Sequence, residues 1–273
     1  MIASRILAMT ASCLRTAVMG GCLLATQAQA APLLIGAEDD WYPYTALKEG
    51  QIRGMSVDIV KAAFAATQTD IRLVAYPYAR CMKMALEGSL VACFNTAPDA
   101  RIASEYRLPA NALFSDDILL WSFADQPAPL SSLDEMTGKR IAVTIGYEYG
   151  SRFDNDRSIE RVLVRKDLMG FLMLERKRVD YVVAYRGTAA QLFKEQPELA
   201  GKFVPVATVH QPQLFLSFSR HNPAAAQALE KFEQGMQIIH GNGRYQQSKI
   251  NHPRLHSNGI IIQGIFIFHF FLQ

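Results

Sequence analysis

Five short blocks decide the fold: LLIGA at residues 33–37, SVDIVKAAFAAT at 56–67, IRLVA at 71–75, RCMKMALEG at 80–88 and VACF at 91–94. The first, third and fifth are brief, mostly apolar runs of strand length. In the second, Val57, Val60 and Phe64 fall at i, i+3 and i+7, which places them on one stripe of a helix. Asp58 sits in its first turn, where a carboxylate suits the helix dipole. The fourth block is a shorter helix, Arg80 to Glu87, stopped by Gly88. Strand, helix, strand, helix, strand at this spacing predicts a parallel sheet covered by helices.

The next segment repeats the logic. After the loop with Pro127 and Pro129 come strands at Ile141–Ile145, Arg161–Val164 and Asp180–Ala184. Between them lie a helix that Asp167 can cap, reaching Lys177, and another over Thr188–Gln196, ended by Pro197. A third segment has one strand, Leu214–Phe218, then Asn222-Pro223 as a cap followed by a first-turn proline. Leu229, Phe232, Met236 and Ile239 mark a long helix after it. One strand and one helix make no core of their own, so this segment must pack back on an earlier unit. The expected fold is α/β with two lobes, each a mostly parallel sheet flanked by helices. Residues 31–120 and 217–250 would form the first lobe and 121–216 the second. Two hinge crossings are expected near Leu120–Phe123 and Leu216–Ser219.

The ends read differently. Residues 1–30 carry Arg5 and Arg15, no acidic residue, a small apolar stretch and the pattern Ala28-Gln29-Ala30, as in a secretory signal peptide. An alternative is lipid attachment at Cys22. Removing residues 1–30 takes two positive charges from a net +3, leaving +1. That balance points to neither nucleic acid nor an anionic membrane as partner. Cys13 and Cys22 would leave with the leader. Cys81 and Cys93 remain, and in an oxidising compartment two cysteines so close suggest a disulfide; two free thiols are the alternative. At the other end, residues 260–272 are almost wholly Ile and Phe, too short to span a bilayer. They receive no function.

No G-x-S-x-G, P-loop, H-E-x-x-H or strand-following G-x-G-x-x-G occurs. His210, His221, His240, His252, His256 and His269 are scattered and read as surface or core rather than ligands, and no metal or cofactor is expected. What the chain offers instead is a set of polar and aromatic loops after strands: Asp39-Asp40-Trp41-Tyr42-Pro43-Tyr44, Tyr76-Pro77-Tyr78-Ala79-Arg80, Asn95 to Arg101, and Gly146-Tyr147-Glu148-Tyr149-Gly150. In open α/β sheets ligands bind beyond the carboxyl ends of the strands. Aromatic walls with a few polar groups suit a small molecule.

With these loops, Gly54 to Ile59, Leu86-Glu87-Gly88, Gly138-Lys139, Arg178-Val179-Asp180 and Gly241 to Tyr245, the chain resembles the periplasmic solute-binding proteins of ABC transporters for polar amino acids, over roughly residues 33–250. The resemblance implies a monomeric periplasmic protein that captures an amino acid or related carboxylate and delivers it to an inner-membrane permease. It implies that Arg101, assisted by Thr96, grips a ligand carboxylate. It also implies that Trp41, Tyr44 and Tyr78 sandwich the ligand, and that Thr144, Gly146 and Tyr147 close over it. Taken without the resemblance, Arg101 could instead pair with Glu105 at i+4. The family has an acidic residue for the ligand's ammonium where this chain has Tyr185. Glu148, Asp39 or Asp40 would then substitute, Tyr185 would make a cation–π contact, or the ligand would lack a standard amino group. Two rival readings share this fold. One is a sensory module. The other is an exported dehydratase with Glu148 or Glu175 as general acid, for which the sequence offers no evident acid–base pair.

Overall fold

The computed structural model describes residues 31–252, apart from 126, 128, 129 and 131. The expected leader at 1–30 and the apolar stretch at 260–272 lie outside them. Strand β1 (Leu33–Glu38) is followed by a small antiparallel ribbon of β2 (Asp40–Trp41), β3 (Thr45–Lys48) and β4 (Gln51–Arg53). Then come α1 (Met55–Ala66), β5 (Ile71–Tyr76), α2 (Tyr78–Leu86), β6 (Ala92–Thr96), α3 (Ala100–Glu105), β7 (Tyr106–Arg107) and β8 (Phe114–Ser115). The second unit holds β9 (Ile118–Phe123), β10 (Arg140–Thr144), α4 (Ser151–Asp154), β11 (Glu160–Val164), α5 (Asp167–Glu175), β12 (Tyr181–Tyr185), α6 (Arg186–Glu195) and β13 (Phe203–His210). The described part ends with β14 (Gln213–Ser219), α7 (Ala225–Gly241) and α8 (Arg244–Ile250).

Two sheets result. The first runs β5-β1-β6-β14-β7, with β8 beside β14; the second runs β11-β10-β12-β9-β13. Strand β1 is parallel to β5 from Leu33↔Ile71 to Glu38↔Tyr76, and to β6 at Ile35↔Ala92. In the second sheet β10 lies parallel between β11 and β12. The parallel arrangement expected from the five opening blocks is therefore present, and so is its repeat. Each sheet also has an antiparallel part: β14 against β6, and β9 between β12 and β13. Strand β13 sits at an edge and contains Pro205, where the register shifts. A proline has no N–H for a ladder, so an edge or a bulge is where a strand tolerates it.

The first core forms where α1 packs on α7, with the rings of Phe64 and Phe232 5.6 Å apart. A side chain at Gly235 would meet the Ala63 backbone oxygen at 2.0 Å, so only glycine lets these helices approach so closely. The second sheet buries Trp121, Phe171 and Phe203 as a cluster of its own. Cys81 in α2 is bonded to Cys93 in β6, their Cα atoms 6.0 Å apart. Closing so short a loop in the unfolded chain contributes about 3 kcal/mol.

Some details differ from expectation. The chain passes between sheets at residues 116–117 and 211–212, so Leu120–Phe123 and Leu216–Ser219 lie within paired strands instead. The two passages are tied together: Gln211 Nε2 donates to Asp117 Oδ1 at 2.9 Å, and Arg186 donates twice to the other oxygen of Asp117. Asn222 does not cap α7. Its side chain accepts from the Ala224 N–H in a turn, and the helix begins at Ala225. Asp167 is the first residue of α5 and not its cap, because its carboxylate is turned inward to Thr144.

Candidate functional site

The parallel strands of both sheets end at one place. Glu38 is the last residue of β1, Tyr78 opens the helix after β5, and Asn95 lies near the end of β6. From the other sheet come Tyr147 and Glu148, in the loop after β10, and Tyr185, the last residue of β12. With Trp41 these residues line a single buried pocket. Its cavity measures about 10 Å³, the room of one water molecule.

The walls are aromatic. Trp41 meets Tyr185 edge-on with ring centres 4.9 Å apart, and Tyr78 meets Tyr147 in the same way at 5.4 Å. Tyr44 stands behind Trp41 at 4.7 Å and stacks on Phe114 at 4.4 Å. Its hydroxyl donates to Asp116 Oδ2 at 2.7 Å, an oxygen that also accepts from the Gly187 N–H.

Polar bonds join the two sides. Tyr78 OH donates to Glu148 Oε2 at 2.7 Å, and Arg101 Nη2 donates to Glu148 Oε1 at 2.9 Å. Tyr147 OH donates to Glu38. Outside the pocket lining, Lys166 pairs with Asp40 at 2.7 Å and Lys48 with Glu195 at 2.5 Å. The loop after β10 comes this near because residue 146 is glycine. Its φ is +85°, and a Cβ there would stand 2.8 Å from that of Ala79.

Burial governs the acid groups. It pushes Glu148 up to about 7, against the opposing pull of Tyr78 and Arg101. Burial also raises Glu38 well above the usual carboxylate range; the Tyr147 hydrogen bond works against this, and Asp167, Asp39 and Asp40 add to it. Asp167, buried beneath with Thr144 donating to it at 2.6 Å, rises to about 6 for the same reason.

The sequence-derived site residues fall into two groups. Trp41, Tyr78, Tyr147, Glu148 and Tyr185 meet on the pocket. Tyr44, Thr96, Thr144, Gly146 and Arg101 stand behind or beside it. Thr96 is buried with its hydroxyl 3.5 Å from Met82 Sδ, and Thr144 holds Asp167 through its hydroxyl and Tyr149 through its N–H. Arg101 is half-exposed and pairs with Glu105, as its spacing allowed, and also with Glu148, a bond the sequence reading did not foresee. Asp40 is engaged by Lys166, and Glu175 pairs with Lys202 away from the pocket. Glu175 is therefore not placed to act as an acid there. Sequence reading missed Glu38 and Asn95. Glu38 is one residue beyond the apolar run 33–37, and Asn95 falls inside β6, just past the apolar run 91–94. Among the described residues, neither polar atom of the Asn95 amide nor Trp41 Nε1 has a hydrogen-bond partner, although both side chains are buried. Buried polar atoms without partners are rare in folded chains and call for an explanation. Among the described residues no group of three or more His, Cys, Asp or Glu could hold a metal.

This is the fold of the two-lobed periplasmic binding proteins, with the pocket between the lobes. A histidine kinase sensor domain with similarity to periplasmic binding proteins superposes with a TM-score of 0.72 at 16% identity, over 81% of this chain and 95% of that one. The substrate-binding protein of an amino acid ABC transporter gives 0.69 at 14%, over 81% and 99%. The arginine-, lysine-, histidine-binding protein ArtJ of Geobacillus stearothermophilus gives 0.68 at 14%, over 81% and 95%. At these identities the likeness is one of fold. No protein-family model and no curated protein sequence matches the chain.

Proposed function

We propose that this chain is an exported, periplasmic solute-binding protein. It captures a small, polar, amino-acid-like solute between its lobes and delivers it to an inner-membrane ABC permease, acting as a monomer and not as an enzyme. The observation that carries this reading is the buried, aromatic-walled pocket at the strand ends of both sheets, where the Asn95 amide is left without a partner. A solute atom would supply that partner. Trp41, Tyr78, Tyr147 and Tyr185 would enclose the solute, with Tyr44, Thr96, Thr144 and Gly146 holding them in place. Capture works by closure. The solute settles on the first lobe, the loop carrying Tyr147 and Glu148 swings onto it, and the two tied passages at 116–117 and 211–212 bend. The bonds from Tyr78 and Arg101 to Glu148 hold the two sides together without solute, where the cavity has room for one water, and they part to admit the solute. The permease would read that closed surface.

Thermal unfolding of the purified protein against a panel of amino acids, amines and small carboxylates tests the proposal. A solute that binds only the folded chain raises Tm with concentration. We expect such a rise, abolished in Trp41→Ala; no rise with any member of the panel would refute capture. The likeness to a sensor domain supports a second reading, in which the same closure signals to a partner protein. Uptake of the identified solute, measured in cells with and without the protein, separates the two: loss of uptake favours transport, unchanged uptake favours sensing.

A further inference from the structure

The pocket has the acid Glu148 that sequence reading placed there, and also a second acid and no lining arginine, which it did not. Two of its wall residues are carboxylic acids, Glu38 and Glu148, and no lysine, arginine or histidine lines it. The nearest guanidinium, Arg101, is bonded to Glu148 on one side and Glu105 on the other, and half of its side chain faces solvent. A carboxylate entering here would lie against two acids, and could reach Arg101 only by taking the place of Glu148. A cation would meet the opposite situation. Aromatic rings attract a cation over their faces, and a buried positive charge is tolerated when carboxylates accompany it. The unpartnered Asn95 amide adds an acceptor and a donor for a further polar atom of the same solute.

We infer that the solute is a small organic cation without a carboxylate, an amine or guanidine, enclosed by Trp41, Tyr147 and Tyr185 and matched in charge by Glu38 and Glu148. This rests on the solute-capture reading and narrows it. Burial holds both acids toward their neutral forms, Glu148 at about 7, so an arriving cation gains a carboxylate partner as each acid releases its proton.

Isothermal titration and thermal unfolding of the full chain with choline, ethanolamine, putrescine and methylguanidine test the inference, with acetate, succinate, L-alanine and L-glutamate alongside. We expect at least one of the cations to bind and to raise Tm. We also expect Glu38→Gln and Glu148→Gln each to weaken that binding by tenfold or more while melting cooperatively. Should Glu38→Gln fail to fold, Glu148→Gln alone decides. Tighter binding of a carboxylate-bearing solute than of every cation overturns the inference and leaves solute capture standing. If Glu148→Gln tightens such a solute further, Glu148 occupies the place of a ligand carboxylate. Cation binding unmoved by Glu148→Gln also overturns it. No response to any solute removes the capture reading together with the inference.

Discussion

The two sides of the pocket are built to different standards. On the first side Glu38, Trp41, Tyr78 and Asn95 come from separate elements, and a disulfide fixes two of these elements to each other. Tyr44 and Phe114 brace Trp41 from behind. On the second side Tyr147 and Glu148 belong to one short loop, between Gly146 and Gly150, both at positive φ. That loop is held to the first side by three hydrogen bonds from or to those two residues. The first side is a braced wall. The second sets Tyr185 at the end of β12 beside a short flap. That flap is tied to its own sheet, where the Thr144 N–H donates to the Tyr149 hydroxyl, and it meets the wall through those three bonds.

Breaking the wall should have the largest effect. Trp41→Ala removes a fully buried ring, and we expect a loss of about 4 kcal/mol of stability in denaturant melts, together with loss of solute binding. Cutting the brace with Cys81→Ser and Cys93→Ser together should cost about 3 kcal/mol. An equal melting midpoint with and without reductant in the wild type would contradict that.

The flap is addressed by pH. Glu148 holds its proton more tightly folded, with a value near 7, than its ordinary 4.5. The folded chain therefore binds more protons than the unfolded one between those values, and stability falls as pH rises through that window. The full swing for this one group is about 3 kcal/mol, at most. The Tm difference between wild type and Glu148→Gln should change across pH 4.5–7 and be flat above it. The smallest effect is expected of Gly146→Ala. Its positive φ and the approach to Ala79 should cost about 1–2 kcal/mol. The loss should appear mainly as weaker solute binding, because the flap would stand off while both sheets stay intact.

The parallel units were legible because their strands are short apolar runs between amphipathic helices. The ribbon β2–β4 was not, since β2 has only two residues and carries no periodicity. Nor was β13, where Pro205 argues against a strand until its edge position is known. At the site, the loops could be found from residue types alone. The roles of Glu38 and Asn95 could not, because they depend on which way a strand's last side chains turn and on what the opposite sheet brings to meet them. Arg101 shows the same limit from the other direction. Its pairing with Glu105 follows from local spacing, but its bond to Glu148 spans 47 positions.

The bridge between Cys81 and Cys93 links the pocket to the chemistry of its surroundings. Tyr78 stands three residues before one cysteine and Asn95 two after the other. Where thiols are kept reduced, the helix bearing Tyr78 loses its covalent tie to the strand bearing Asn95. What then still joins them is the packing of Cys81, Met82 and Ala85 against Leu90 and Cys93, so the bridge is a second, redox-sensitive fastening on a wall that apolar contact also holds.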